Sequence, residues 1–289
     1  MNILITGGSG FIGSHIVDKL SALKHKVRIL DLKPPYQKNI EFIRGDFLSR
    51  KDLKKAIKDI DVIYHIGGFS NIDYVKDNPV ETVRLNILGT AELLNAARKN
   101  NVKRFIFASS VYINDSKGHI YTTSKISSEM LCKNFFTLYG LPYTILRYGT
   151  VYGPRSRMVD VISRFVETAF YQNKIFIYGN GNQKRNFIFV EDLAEASTKI
   201  LKKIGENKTY IIADSRTTSI KELANIIRRK FDNKPKIIRL PTRSRVDDYG
   251  GKISGVNQTI KELNWKPKYS LEKGIEKFIN WYSKQNKNI

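Results

Sequence analysis

At 289 residues, 41% of them hydrophobic, the chain is long enough for one large α/β domain or one with a smaller lobe attached. Its one cysteine, Cys132, excludes an internal disulfide and a cysteine metal cluster, and no apolar run approaches the ~20 residues that span a bilayer. The net charge of +23 comes from Lys and Arg spread through the chain, as at Lys51, Lys54, Lys55 and Lys58; with no basic tail and no aromatic-rich recognition motif, this implies a diffuse cationic surface that draws in small anions and no specific nucleic-acid partner.

Residues 2–6 form a short apolar run that predicts a buried strand. Because the strand starts at residue 2, no room is left for a signal peptide, and a cytoplasmic protein is expected. Gly7, Gly8, Ser9 and Gly10 follow, then Phe11, Ile12 and Gly13 open a segment with Ile16, Val17, Leu20 and Leu23 at helical spacing. Strand, glycine turn and helix is the arrangement that points backbone N–H groups and the positive helix end at a pyrophosphate. Gly7 permits the tight turn, Gly10 lets the backbone approach phosphate, and Gly13 lets the helix pack closely on the strand.

A second strand is predicted at 26–30, ending at Asp31, where a carboxylate accepts a ribose 2′-hydroxyl. That acid repels a 2′-phosphate and favours NAD over NADP, with Lys33 softening the preference; the alternative is a strand-end acid in a turn. A third strand at 40–44 leads into Gly45, Asp46 and Phe47, a carboxylate and an aromatic placed to hold an adenine amine and cover its ring. Asp46 can equally cap the helix predicted at 48–58. A fourth strand at 61–65 runs into Ile66, Gly67 and Gly68, where backbone can lie against a cofactor or simply turn.

Pro79 precedes one long helix predicted at 80–100, with Val83, Ile87, Leu94 and Ala97 at helical spacing and Asn86 inside it, needing a partner if buried. A fifth strand at 103–108 ends in Ser109 and Ser110. Tyr121 and Lys125, four apart, share a face of the next helix, which Ile126, Met130 and Phe136 are expected to anchor. The Tyr-x-x-x-Lys spacing by itself often arises by chance. Cys132 on this helix reads as a small buried apolar side chain. A sixth strand at 143–147 ends in a loop, 148–155. Strands alternating with helices predict a parallel sheet covered on both faces, with ligands bound across the carboxyl ends of the strands.

Beyond residue 154 the pattern is mixed: a helix at 158–171, a strand at 175–178, a turn at 179–182, a strand at 185–190, and a helix starting near Glu191 or Asp192. Residues 209–213 read as a return to the main sheet, and 219–230 and 270–284 as amphipathic helices. The expected organisation is α/β: a Rossmann-type doubly wound parallel sheet at 1–154, revisited at about 185–217, and a smaller mixed α/β C-terminal substrate lobe within 155–289.

The segments GGSGFIG at 7–13, GDF at 45–47, HIGG at 65–68, NILGT at 86–90, ASSVY at 108–112, YTTSK at 121–125, LRY at 146–148, VYGPR at 151–155, YGNGNQKRNFIFVEDLAEA at 178–196 and ELNWKP at 262–267, together with Asp31, carry a resemblance. The chain resembles the extended short-chain dehydrogenase/reductase superfamily, and within it the NAD-dependent nucleotide-sugar epimerase/dehydratase family, most of all the UDP-glucose 4-epimerases. The resemblance implies an NAD site at Gly7, Gly10, Phe11, Ile12, Gly13, Asp31, Asp46, Phe47, Gly67, Gly68, Asn86, Ser109, Tyr121, Lys125 and Tyr148. It implies catalysis by Ser110 (Ser109 as fallback), Tyr121 and Lys125, and substrate contacts from Thr150, Arg185 and Arg245, with Gln183 and Asn182 secondary. It also implies a nucleotide-diphosphate sugar as substrate, no metal, and a homodimer through helices at 80–100 and 122–138.

The chemistry agrees with those roles. A tyrosine titrates near ~10, too high for a base at neutrality, and a lysine cation with the positive nicotinamide ring favours its phenolate. Arginine binds a diphosphate through a fixed fork of donors, a surface ion pair being the alternative for Arg185 and Arg245. Sugar 4,6-dehydratases carry an Asp-Glu pair after the strand-end hydroxyl residue and decarboxylases favour a glutamate there; here Val111, Tyr112 and Ile113 follow Ser110, with no acid before Asp115. Cys132 and His119 do not match the Cys/His pair of 3,5-epimerising reductases. A 4-epimerase is the reading that remains, and the resemblance implies UDP-glucose/UDP-galactose as its substrates, the commonest pair in the group. The alternatives are an NAD(P)-dependent reductase or dehydrogenase of a keto-sugar or other alcohol, and a non-catalytic NAD(P)-sensing or nucleic-acid-associated protein. The chain departs from the group in three places: ten residues between Ser110 and Tyr121, Gly149-Thr150 where many epimerases carry a larger residue and then asparagine, and a 249–255 loop without the usual aspartate.

Overall fold

The structure is a computed structural model that describes residues 1–114, 119–242 and 253–286. Its strands are β1 Asn2–Thr6, β2 Lys26–Asp31, β3 Glu41–Arg44, β4 Val62–His65, β5 Arg104–Ser110, β6 Tyr143–Tyr148, β7 Thr150–Tyr152, β8 Lys174–Tyr178, β9 Lys184–Arg185, β10 Phe187–Phe189, β11 Lys208–Ile212, β12 Thr218–Ser219 and β13 Lys236–Leu240. Its α-helices are α1 Phe11–Ala22, α2 Arg50–Ala56, α3 Ile72–Asp77, α4 Pro79–Val83, α5 Gly89–Lys99, α6 Ile120–Tyr139, α7 Val161–Gln172, α8 Val190–Lys199, α9 Ile220–Arg228, α10 Val256–Leu263 and α11 Leu271–Asn286.

Seven strands form one sheet in the order β3-β2-β1-β4-β5-β6-β11, every pair parallel. Period-2 alternation divides its side chains between two cores, the pattern of a sheet buried on both faces. Ile3, Ile5, Tyr64, Ile106 and Leu146 face a core shared with α1 and α8, whereas Leu4, Ile63, Phe105, Phe107 and Ile145 face one shared with α2, α5 and α6. Strand order reverses between β1 and β4, which opens a crevice at their carboxyl ends. A third core, with Phe165, Ile177, Phe187, Phe189, Leu223 and Phe278, lies under the smaller parallel pair β8–β13 and helices α7, α9 and α11. The chain rejoins the main sheet at β11, and Leu263 and Trp265 then pack into the α1–α8 core from beyond 217. No described helix is long and apolar enough to cross a membrane.

Several expectations are corrected. The helix at 80–100 is broken: α4 and α5 flank a π-helical turn at Arg84–Leu88 that carries Asn86. Ile126, Met130 and Phe136 do not anchor α6, for they are 40%, 57% and 38% exposed. Its buried stripe is Tyr121, Ser124, Lys125, Ser128, Glu129 and Cys132, because the ends of β5 and the π turn offer polar partners there. Residues 150–152 are not loop but a strand that pairs in parallel with β10. The run 185–190 splits at Asn186 into β9 and β10, and α8 begins at Val190. Ser49, not Asp46, caps α2, through a bond from Asp52 N.

Candidate active site

A cavity of about 1010 Å³ runs across the carboxyl ends of the main sheet and is closed on its far side by α7, β8 and the segment around Arg185. One end is the glycine turn. Gly7 has φ +72°, and a Cβ there would sit 2.6 Å from Gly67 N, so the turn and the β4 end are pressed together. A Cβ on Gly13 would run into the Gly7 carbonyl, which is why α1 can start directly against β1. No side chain caps the N-terminus of α1 and its first turn holds no acid, so the N–H groups of Phe11, Ile12 and Gly13 and the positive helix end face the cavity. Beside them the Asp31 carboxylate accepts from Ser9 N at 3.0 Å and Lys33 N at 3.1 Å, which fixes it at the rim. This cradle fits the pyrophosphate and ribose of a dinucleotide.

Asp46 and Phe47 also line the cavity, with differing commitments. Asp46 Oδ1 accepts from Leu48 N at 2.9 Å, while the Phe47 ring lies edge-on to His65 at 5.1 Å and packs against Gly67 and Gly89. Phe47 is thus a buried wall at 9% exposure. Gly67, Gly68, Ser109 and Tyr148 line the same space. Asn86 does not. Its amide is used by the neighbouring loop and helix: Oδ1 accepts from Phe69 N at 2.8 Å, and Nδ2 donates to Phe69 O and Ser124 Oγ, each at 3.0 Å.

At the other end of the cavity the carboxyl end of β5 meets α6. Ser110 and Tyr121 meet here, the Ser110 side chain favouring the Tyr121 phenolate, and Ser110 Oγ accepts from Tyr112 N at 3.2 Å. Lys125 Nζ donates to Ala108 O at 2.8 Å and lies 4.8 Å from the centre of the Phe107 ring. Burial pushes the Tyr121 phenol up, opposed by the Ser110 side chain and the charge of Arg157. Burial also brings the Lys125 ammonium down to about 8, opposed chiefly by Glu129. Ser109 turns its hydroxyl away from Tyr121 and donates it to Glu129 Oε1 at 2.5 Å. Of the two serines, Ser110 is therefore the one that engages the tyrosine.

On the substrate side, Thr150 lines the cavity with its Oγ1 buried and without a partner among the described residues. A buried hydroxyl in that condition is a place for a ligand's hydrogen bond. Arg185 is 8% exposed and packs its guanidinium 5.6 Å from the centre of the Tyr112 ring. Gln183 lines the cavity, Asn182 is exposed, and Arg245 lies outside the described residues. A Cβ on Gly149 would come within 2.7 Å of both Ala213 Cβ and Asn186 O, so the chain crossing at this point excludes a larger residue.

Two residues escaped the sequence reading. Arg157 lines the cavity, held by Asp160 (Nη2–Oδ1 2.8 Å) and by Ser70 Oγ at 3.1 Å. Glu129 sits beneath Ser109 in a two-pronged pair with Arg147, at 2.9 and 2.6 Å. Its position four residues past Lys125 was the available signal, since it repeats the Tyr121-to-Lys125 step along one helix face.

A dinucleotide cradle, a tyrosine–lysine pair and a cavity shared with a second lobe define an NAD-dependent enzyme of the extended short-chain dehydrogenase/reductase type. The model of the NAD dependent epimerase/dehydratase family matches residues 3–213, and the chain belongs to that family. It is 34% identical to a Methanocaldococcus jannaschii protein named "Putative UDP-glucose 4-epimerase", over 99% of each chain. It is 29% identical to a UDP-N-acetyl-alpha-D-glucosaminuronate decarboxylase of Bacillus cytotoxicus, over 96% of this chain and 97% of that one. Among solved structures, a UDP-glucose 4-epimerase of Thermotoga maritima with UDP-glucose superposes with a TM-score of 0.91 at 28% identity, over 99% of each chain. A UDP-glucuronic acid 4-epimerase of Bacillus cereus with UDP-glucuronic acid and NAD does so with a TM-score of 0.90 at 25% identity, over 99% of this chain and 100% of that one.

Proposed function

We propose that the protein is a nucleotide-sugar 4-epimerase of the UDP-glucose/UDP-galactose type. The observation that carries this reading is that Ser110, Tyr121 and Lys125 line one cavity, with Val111 and Tyr112 instead of acids directly after Ser110. When bound, NAD supplies a reversible hydride acceptor for C4 of the sugar. Tyr121 takes the proton of the sugar 4-hydroxyl and later returns it, and Ser110 shares the hydrogen bond to that oxygen. Lys125 holds positive charge beneath the tyrosine, so that its deprotonated form costs less. Arg185 and Arg245 bind the diphosphate, and Thr150 Oγ1 takes a ligand hydrogen bond. An acid placed to move protons at C5 and C6 is what dehydration would need in addition. The helices around 80–100 and 122–138 are proposed to form a homodimer.

A second reading of the sugar is favoured by Arg157. Its charge reaches the Tyr121 hydroxyl, and the C5 substituent of a hexose is adjacent to the 4-oxygen that Tyr121 would hold. A carboxylate at that position, as in a UDP-uronate, would meet this guanidinium. Incubating the NAD-loaded protein separately with UDP-galactose, UDP-glucose and UDP-glucuronate, and reading products by proton NMR, tests both. Formation of the 4-epimer from a neutral hexose supports the first reading and from the uronate alone the second; no turnover of any contradicts both.

A further inference from the structure

Three consecutive residues at the end of β5 are matched to three residues spaced by four along α6. Ser110 faces Tyr121 and favours its phenolate, the Ala108 carbonyl accepts from Lys125, and Ser109 donates to Glu129. The first two matches hold the reacting pair. The third has no part in the proton transfer described above, yet it is the most heavily tied. Glu129 Oε1 accepts from Ser109 Oγ and Arg147 Nε, and Oε2 from Arg147 Nη2, so one carboxylate joins α6 to the ends of β5 and β6. The Glu129 side chain is 5% exposed and that of Arg147 24%.

We propose that Glu129 and Arg147 are a positioning pair: the carboxylate locks the β5 end against α6 and holds negative charge one helical turn from Lys125, and the guanidinium sets how much of that charge Lys125 feels. This rests on the reading of Tyr121 and Lys125 as the reacting pair. The groups around Lys125 leave few other sources of charge. On β4, His65 is brought down to about 3 by burial and stays neutral, and on α6 the Cys132 thiol is pushed up by burial and stays protonated. Tyr143 at the start of β6 is raised and uncharged, and Arg157 acts on Tyr121 from the cavity side. Glu129 is the largest influence favouring the charged lysine, against burial.

The pair predicts opposite shifts from its two halves. Glu129→Gln removes the anion and leaves the arginine, so Lys125 loses its proton at lower pH, and the alkaline limit of turnover moves down by about one pH unit. Arg147→Gln leaves the anion uncompensated, so the same limit moves up. Arg147→Lys and the double Glu129→Gln/Arg147→Gln variant return it toward the parent value. Two readouts on the NAD-loaded protein are needed: the pH profile of kcat, and direct titration of the Lys125 ammonium by ¹⁵N NMR of lysine-labelled protein, with circular dichroism to check folding. Opposed shifts in both readouts support the pair. Loss of turnover with an unmoved limit, or shifts in one common direction, overturns it. Should the parent protein turn over no nucleotide sugar, the epimerase reading falls on its own while the lysine titration still decides this one.

Discussion

Burial alone would make Tyr121 a poor base, since a phenolate held in a dry pocket loses its solvation. The Ser110 hydroxyl and the Arg157 charge are the local groups that offset that cost, so the tyrosine depends on its neighbours. Tyr121→Phe is expected to lower turnover by about 10²–10⁴-fold while UDP-sugar binding, followed by calorimetry, stays within a few-fold. Equal loss of both would mean that Tyr121 shapes the cavity and moves no proton. His65 makes a second residue-scale prediction. Its ring is locked between Thr6 Oγ1 at 2.7 Å and Thr90 Oγ1 at 3.1 Å, and burial holds it near pKa about 3 against 6.5 when free. The unfolded chain therefore binds a proton that the folded one does not between those values, and stability falls as pH drops from about 6.5 to about 3. The loss is on the order of 5 kcal/mol. Urea unfolding of His65→Gln between pH 7 and 4 should show a flatter pH dependence than the parent; an unchanged slope would remove His65 from the account.

At the scale of elements, the glycine turn and the π turn position most of the site. Gly13→Ala puts a methyl into the Gly7 carbonyl, and overpacking of this kind costs about 1–3 kcal/mol. Thermal unfolding and NAD titration should show both a lower Tm and weaker NAD binding; unchanged NAD affinity would mean that the turn does not carry the pyrophosphate. The π turn frees the Asn86 carbonyl for Thr90 Oγ1 at 2.6 Å and Ser128 Oγ at 2.9 Å, while the Asn86 amide ties Phe69 to Ser124. These elements also show what was legible in the sequence. The strands were, because β1, β4, β5 and β6 are apolar on both faces and bounded by glycine, serine or turn residues. The break in 80–100 was not, since nothing in the spacing of Val83, Ile87, Leu94 and Ala97 marks an inserted residue. The buried face of α6 departs from its hydrophobic pattern for a related reason. Hydrophobicity pointed to Ile126 and Met130, but buried Ser124, Lys125, Ser128 and Glu129 each find hydrogen-bond partners that periodicity does not encode. The motif residues were readable because phosphate turns and tyrosine–lysine pairs are local; Arg157 and Glu129 acquire their roles only through contacts with Ser70, Ser109 and Arg147.

On the scale of the molecule, the parallel sheet sets the glycine turn and the helix carrying Tyr121 and Lys125 on one edge, and the chain beyond β7 brings the opposite wall. The net charge of +23 suits a protein whose ligands carry several phosphates, because it raises the local concentration of anions. The apolar side chains exposed on α4 to α6 give the proposed dimer its test. Val80 is 80% exposed, Leu88 50% and Met130 57%. Met130→Glu is expected to shift the protein from dimer to monomer in light scattering; a parent protein that is already monomeric would contradict the dimer.

In the proposed reaction the hydrogen on C4 of the sugar leaves and returns to the same carbon. UDP-glucose deuterated at C4, incubated with the NAD-loaded protein and analysed by NMR, tests it most directly. Epimerisation leaves the deuterium at C4 of the UDP-galactose formed, with no net change in cofactor absorbance. Deuterium found at C6 or lost to solvent, or a steady build-up of reduced cofactor, would contradict it.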